Sequence, residues 1–233
     1  MTPVSPAVVS RGGGGIIRLV ANEAIKIESR WPVLVALAAV VALHFSLPDV
    51  LSLGPRWLLV FTFVVLAAIV SILNFRHAYD EAHLVGFVLM GAITAAVIVS
   101  LGLLIKAFLQ HSIQPVHLLR SAASLWGSNV LLFGAWYWKL DAGGPYQRAQ
   151  RERHEEGAFL FPQMALHEKS PAKPENWRPN FVDYLFLSFN TSTALSPTDT
   201  QILSRWAKVL MMLQSLISMT TIVLLAARAV NIL

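Results

Sequence analysis

Residues 57 to 73 read Trp57-Leu-Leu-Val-Phe-Thr-Phe-Val-Val-Leu-Ala-Ala-Ile-Val-Ser-Ile-Leu73, seventeen consecutive residues without a charge. At 1.5 Å per residue, a helix of this length reaches about 25 Å, close to the roughly 30 Å hydrocarbon thickness of a bilayer. The stretch therefore predicts a helix that spans a membrane.

Four further apolar blocks predict spanning helices on either side of this one. They cover Trp31 to about Leu47, Leu84 to about Ile105, about Leu118 to Trp138, and about Trp206 to Val230. We expect an all-α, polytopic transmembrane bundle of about five spanning helices.

The composition agrees with a membrane protein. Hydrophobic residues make up 55% of the chain and charged residues 13%, whereas a soluble domain is about a quarter charged. The net charge of +5 does not indicate a nucleic-acid partner, because the basic residues lie between apolar blocks. Cysteine is absent, which excludes disulfides, thiolate metal sites and thiol catalysis.

The basic residues predict the orientation, since Lys and Arg concentrate in cytoplasmic loops. With the N-terminus inside, twelve basic residues fall on the cytoplasmic side: Arg11, Arg18, Lys26, Arg30, Arg76, Lys139, Arg148, Arg151, Arg153, Lys169, Lys173 and Arg178. The external loops hold three, namely Arg56, Lys106 and Arg120. We expect a multi-pass protein of the cytoplasmic (inner) membrane with its N-terminus inside.

Four regions follow from this pattern. Residues 1–30 form a cytoplasmic tail whose residues 16–30 are either an amphipathic surface helix or a simple lead-in to the first span. Residues 31–139 form a scaffold of four spans, and residues 140–179 a polar, cytoplasmic loop with one short helix near residues 147–156. Residues 180–233 form the last region. No cleavage site follows the basic tail, so we expect the first span to be retained.

The last region contains a polar segment, Ser188-Phe-Asn-Thr-Ser-Thr-Ala-Leu-Ser-Pro-Thr-Asp-Thr200, in which nine of thirteen residues carry a hydroxyl, amide or carboxyl group. Such groups need partners inside hydrocarbon. The apolar stretch before it, Phe181 to Phe189, reaches only about 13 Å as a helix, and Pro197 stops helical structure. We therefore expect a re-entrant half-helix followed by a pore loop.

The final span carries a weakly polar stripe at helical spacing, formed by Gln214, Ser218, Thr221 and Arg228. A stripe of this kind is typical of a pore-lining helix. Hydrogen bonding between packed helices is the alternative. Asn129, in the middle of the fourth predicted span, is interpreted as such an interhelical partner.

From Phe181 to Leu233 the chain resembles the pore helix, filter and inner helix of potassium-type channels, and a group of uncharacterised bacterial membrane proteins with such C-terminal ends. The motifs are Tyr184-Leu-Phe-Leu-Ser188-Phe, Thr191-Ser-Thr193-Ala, Asp199 and Arg205-Trp-Ala-Lys208. The resemblance implies a pore module in less than a quarter of the chain.

Two features depart from those channels. The filter position reads Thr193-Ala-Leu-Ser-Pro-Thr-Asp199 without glycine, so potassium selectivity is not supported, and a wider pore or a closed relic fits better. Basic residues also place the preceding loop inside, whereas potassium channels receive their pore loop from outside. Either an inverted loop, as in glutamate-receptor-type channels, or a sixth span over residues 181–197 would resolve this.

The leading hypothesis is an oligomeric ion channel or channel-like protein. One subunit supplies one pore loop, so a homo-oligomer, most simply a tetramer, would enclose the path for inorganic cations. Filter-like residues are Asn190, Thr191, Thr193, Ser196 and Asp199, and pore-lining residues on the helix are Gln214, Ser218 and Thr221. Asp199 would form a ring of carboxylates. The alternatives are a secondary transporter and a non-conducting membrane scaffold.

Enzyme motifs have no support in the sequence. The chain lacks a zinc-hydrolase motif, a phosphate-binding glycine loop and a nucleophile elbow, so we expect no catalytic residues, no metal site and no cofactor. Asp183, at the start of the half-helix, is interpreted as a helix cap. His77, Asp80, Glu81 and His83 are interpreted as a solvated turn rather than an ion site.

Overall fold

The computed structural model describes residues 28–52, 54–55, 57–76, 78–110, 113–150, 157–166, 177–194 and 199–230. Most of the predicted amphipathic helix, His77 of the predicted turn, and Ser196 of the predicted filter lie outside these residues.

The described chain is mostly helical, with one very small sheet. The helices are α1 (Trp31–Phe45), α2 (Trp57–Phe75), α3 (Tyr79–Gln110), α4 (Pro115–Leu140), α5 (Pro145–Ala149), α6 (Pro162–Ala165), α7 (Phe181–Ala194) and α8 (Arg205–Val230), with short 3-10 turns at Asp49–Leu51 and Asp141–Gly143. Strands β1 (Phe159–Leu160) and β2 (Gln201–Ile202) pair antiparallel, with Phe159 opposite Ile202.

Among the described residues, three helices are long and apolar enough to cross a bilayer, which agrees with a helical membrane protein but is fewer than the five spans predicted. They are Trp57–Phe75, Asp80–Gln110 and Arg205–Arg228. Helix α1 is equally apolar but has 15 residues, a length of about 22 Å. Helix α4 is long enough at 26 residues but contains more polar side chains.

Helix α4 is the centre of the bundle. It packs against α1, α3, α7 and α8, and fourteen of its residues are buried. Ser121, Ser128 and Asn129 of α4 are therefore enclosed by the neighbouring helices. Helix α2, by contrast, has no buried residue and packs on α3 at the edge.

The outward surfaces of the helices are strongly apolar. Phe61 on α2, Val88 on α3, Phe186 on α7 and Val209 on α8 are each more than half exposed. Apolar surface on this scale is unfavourable in water and suits hydrocarbon.

Helices α7 and α8 run in the same direction. Ser188 on α7 lies beside Gln214 on α8, and one turn further along both helices Ser192 lies beside Ser218. A sixth span over residues 181–197 would require α8 to begin where α7 ends. Instead, α8 begins at the end of the bundle at which α7 begins, so α7 and α8 are not consecutive antiparallel helices.

The small sheet fixes this arrangement. Strand β2, just before α8, pairs with β1, and the Phe159 ring of β1 lies 6.2 Å from the ring of Tyr184 in the first turns of α7. The same ring lies 6.1 Å from Trp206, the second residue of α8. Both helices therefore begin at one aromatic cluster.

Helix α7 is longer than its apolar stretch predicted, ending at Ala194 rather than near Phe189. Hydroxyls allow the extension, because Thr191 donates to the Leu187 carbonyl at 2.8 Å and Thr193 to the Phe189 carbonyl at 3.0 Å. These side chains find their partners within their own helix.

The capping role predicted for Asp183 is confirmed. Its carboxylate accepts the Asn180 main-chain N–H at 2.7 Å, and the Asn180 side chain accepts the Val182 N–H at 2.8 Å. This reciprocal pair satisfies N–H groups at the start of α7 that have no helical partner. The short helix predicted near residues 147–156 begins slightly earlier, at Pro145, and α5 ends at Ala149.

Candidate functional site

A set of polar side chains runs between α4, α7 and α8, and we call it the polar seam. Every member is completely buried, and the seam consists of Asn129, Tyr137, Ser188, Ser192, Gln214 and Ser218. Buried polar groups require hydrogen-bond partners, so these contacts decide how the three helices pack.

Gln214 is the centre of the polar seam. Its side-chain N–H groups donate to the Ser188 carbonyl and hydroxyl, each at 2.8 Å, and to the Ser192 hydroxyl at 2.7 Å. Its side-chain oxygen accepts a hydrogen bond from the Tyr137 hydroxyl. One residue of α8 thus joins α4 to α7.

The seam continues one turn further along α8. The Ser218 hydroxyl donates to the Ser192 carbonyl at 2.6 Å and accepts from the Trp126 indole at 3.1 Å. Asn129 donates to the Gln214 main-chain carbonyl at 3.2 Å, which confirms its predicted role as an interhelical partner.

The predicted stripe on α8 does share one face, and that face points into the protomer. Gln214, Ser218 and Thr221 have no exposed surface, and Thr221 donates to carbonyls of its own helix. Arg228 is also buried, with its guanidinium 5.7 Å from the centre of the Phe108 ring. In this protomer the stripe therefore performs helix packing, the alternative to pore lining.

The predicted filter residues divide between buried and exposed positions. Thr191 is buried, Asn190 is partly exposed, and Thr193 and Asp199 are exposed. Asn190 and Thr193 belong to the last turns of α7, and Asp199 belongs to the returning chain. Among the described residues, these three are polar groups of α7 and its return with exposed surface, and Gln201 of β2 is another.

A second polar cluster, which the sequence did not reveal, holds the beginning of α7. The Tyr184 hydroxyl donates to one Asp141 carboxylate oxygen at 2.6 Å, and the Ala158 N–H donates to the other at 2.5 Å. Tyr184 and Asp141 are fully buried. The only sequence signal was a carboxylate directly after the fourth predicted span and before two glycines.

Arg148 extends this cluster to the start of the bundle. Its guanidinium donates to the main-chain carbonyls of Trp138 and Asp141 at 2.6 and 2.9 Å, and pairs with Glu28 at 2.9 Å. Glu28 also accepts the Trp138 indole N–H at 2.7 Å. The segment before α1 therefore lies at the same end of the bundle as the end of α4.

In the described part of the chain, no group of three or more His, Asp or Glu side chains is placed to hold a metal ion. Comparisons of the chain with family models, with curated proteins and with solved structures find no match. The candidate site is consequently argued from its geometry alone.

Proposed function

We propose that the chain is one subunit of an oligomeric ion channel or channel-like protein of the cytoplasmic membrane. The observation that carries this proposal is the common starting point of α7 and α8. The long apolar α8 begins at the end of the bundle at which the 14-residue α7 began, so the chain between the two helices turns back instead of starting α8 from the far end of α7. Irregular backbone at membrane depth is tolerated where it is buried in protein or borders water.

In this proposal α1, α2, α3, α4 and α8 are the five spans. The contact of Glu28 with Trp138 and Arg148 supports an even number of crossings between residue 30 and residue 139. With the N-terminus inside, α7 enters from the cytoplasm, which is the inverted orientation.

The proposed path is lined by the exposed polar residues of α7 and its return. Thr193 and Asp199 are the principal residues, with Asn190 beside them. In a closed ring, most simply of four subunits, one Asp199 from each copy would attract cations. The buried stripe of Gln214, Ser218 and Thr221 is not part of this path, because a lumen-facing side chain must be exposed in the separate protomer.

A non-conducting scaffold is the second candidate, and one observation favours it. Apart from the Asn129 side-chain oxygen, the polar seam is hydrogen-bonded within one protomer, and the outward surface of α8 is apolar at Val209, Met212, Leu216 and Val223. Such a surface offers no polar lining to a lumen. A scaffold without a pore needs no such lining, so it is consistent with this apolar surface.

Ion flux into liposomes that contain the purified protein distinguishes the two candidates. A channel predicts cation flux that Asp199→Asn reduces or makes less cation-selective, while Ser218→Ala, in the buried seam, leaves selectivity unchanged. The absence of flux for the folded wild-type protein over a range of voltages and pH would reject conduction and leave the scaffold.

Introduced cysteines test the path directly, because the chain has none of its own. Thr193→Cys should cross-link between copies and lose flux when a charged thiol reagent is added. Val88→Cys, on the outward surface of α3, is the matched control and should do neither.

A further inference from the structure

A cavity of about 310 Å³ opens between α1, α2, α3 and the end of α4, and no described residue of α7 or α8 lines it. Most of its wall is apolar, formed by residues such as Leu34, Leu37, Val70, Leu89 and Met90. It is open on one side and lies at the end of the bundle where α1 begins and α4 ends, the predicted cytoplasmic end.

The charged groups that line this cavity are basic, and Ser71, Asn74 and Tyr146 add neutral polar groups. Arg30, His83 and Lys139 line it, and no Asp or Glu is among the described residues of its wall. The carboxylate of Asp80, one turn before His83, interacts electrostatically with the His83 imidazole. The wall thus combines positive charge with hydrocarbon surface.

Lys139 is the most unusual of these groups. Its side chain is 9% exposed, and in the described part of the chain its ammonium makes no hydrogen bond or ion pair. Among the described residues, the ammonium makes a cation–π contact with the Phe87 ring, whose centre lies 4.6 Å away. Burying a charge without a counter-ion is costly, so the position is unfavourable unless an anion joins it.

The backbone makes space for this ammonium. A Cβ atom on Gly86 would lie 2.9 Å from the Lys139 Nζ, and one on Gly144 would lie 2.9 Å from the Lys139 carbonyl oxygen and 3.3 Å from the His83 Nε2. That same His83 Nε2 is buried and has no hydrogen-bond partner among the residues that the structure describes. Two nitrogen groups with unused hydrogen-bonding capacity therefore lie at one wall of the cavity.

From this geometry we infer that the cavity is a binding site for an anionic phospholipid of the cytoplasmic leaflet. The phosphate binds Lys139, His83 and Arg30, and an acyl chain follows the apolar wall between α1, α2 and α3. Basic pockets between transmembrane helices at the cytoplasmic side are suited to such headgroups. The inference does not depend on conduction, because the cavity is formed by the scaffold helices alone.

The test measures binding of phosphatidylglycerol to the full-length protein in phosphatidylcholine nanodiscs, by lipid titration and by thermal unfolding. Wild type should bind and be stabilised by the anionic lipid. Lys139→Gln should weaken binding about fivefold to tenfold, since one basic residue near a headgroup contributes about 1 kcal/mol. Lys208→Gln changes the net charge equally at an exposed lysine of α8 and should retain wild-type binding.

A second pair of variants keeps the charge constant. Gly86→Ala should displace the ammonium and weaken binding, whereas Gly91→Ala, where an added Cβ meets no atom within 4 Å, should not. In pure phosphatidylcholine, Lys139→Gln should be at least as stable as wild type, which separates lost binding from lost folding.

Three results would overturn the inference. Wild type could show no preference for phosphatidylglycerol, or Lys139→Gln could keep the full preference. Inorganic phosphate in phosphatidylcholine nanodiscs could also reproduce the stabilisation, which would identify the ligand as a soluble anion rather than a lipid.

Discussion

The hydroxyl of Tyr184 donates a 2.6 Å hydrogen bond to the carboxylate of Asp141, and both side chains have no exposed surface. Asp141 immediately follows α4, and Tyr184 is the fourth residue of α7. This bond therefore connects the end of the central helix to the beginning of α7. It fixes the level at which α7 starts, and with it the depth that Ala194 reaches.

Tyr184→Phe should destabilise the protein by about 1.5–3 kcal/mol, since a buried carboxylate loses one of its hydrogen-bond donors. The aromatic packing on Phe159 and Phe161 remains, because the ring is unchanged. Thermal or denaturant unfolding in detergent measures the loss. In the Asp141→Asn background the same substitution should cost distinctly less, and equal costs in both backgrounds would show that the two groups are not coupled.

Gln214→Leu should destabilise the packing of α8 on α7 and α4 by about 2 kcal/mol. The substitution removes four side-chain hydrogen bonds and leaves the Tyr137 hydroxyl buried without its acceptor. Thr220→Val is the matched control, because the Thr220 hydroxyl donates to the carbonyl of Leu216 in its own helix. It should be almost neutral, and comparable losses for both variants would contradict the central role of Gln214.

The sequence predicted much of this arrangement because the relevant signals are local. The short apolar stretch before the hydroxyl-rich segment indicated a half-helix, and the spacing of Gln214, Ser218 and Thr221 indicated a shared face. Helical periodicity states which residues share a face but not what that face contacts. The burial of this stripe depends on Asn129 and Ser188, which are distant from it in the chain.

The cluster at Asp141 could not be predicted for a related reason. Its partner Tyr184 lies 43 residues away, and Arg148 reaches Glu28 over 120 residues. In the sequence these residues belong to a polar loop and a charged tail, where solvated side chains are the ordinary expectation. The packing of α1 and α7 on α4 brings them together.

Single-cysteine labelling should place the beginnings of α7 and α8 on one side of the membrane. Arg178→Cys, before α7, and Arg205→Cys, at the start of α8, are exposed positions and should react with an impermeant thiol reagent from the cytoplasmic side. Gln114→Cys, before α4, lies at the opposite end and should react only from outside. Opposite labelling of residues 178 and 205 would mean that α7 crosses the membrane.

The lysine of the lipid cavity should make stability depend on pH. Lys139 follows the fourth predicted span, and burial, with a smaller effect of the Arg30 charge, lowers its pKa from 10.5 to about 8. Because the unfolded chain binds this proton more tightly, stability in phosphatidylcholine should rise as pH increases from about 8 to 10.5. Deprotonation in the folded protein removes an unfavourable buried charge over that interval.

The same titration should act oppositely on lipid binding, since a neutral amine no longer attracts phosphate. The protein's preference for phosphatidylglycerol should therefore fall as pH rises above about 8. Because a bound anion favours the charged lysine, binding of the lipid shifts this fall to a somewhat higher pH. Arg30 before α1, His83 from α3 and Tyr146 from α5 line the cavity, and the Asp80 charge acts on His83, so Lys139→Gln is needed to isolate the lysine. The measurement is the unfolding temperature from pH 7 to 10.5 in each lipid. In Lys139→Gln, both the rise in stability and the fall in lipid preference should disappear. If either trend persists in this variant, another group causes it.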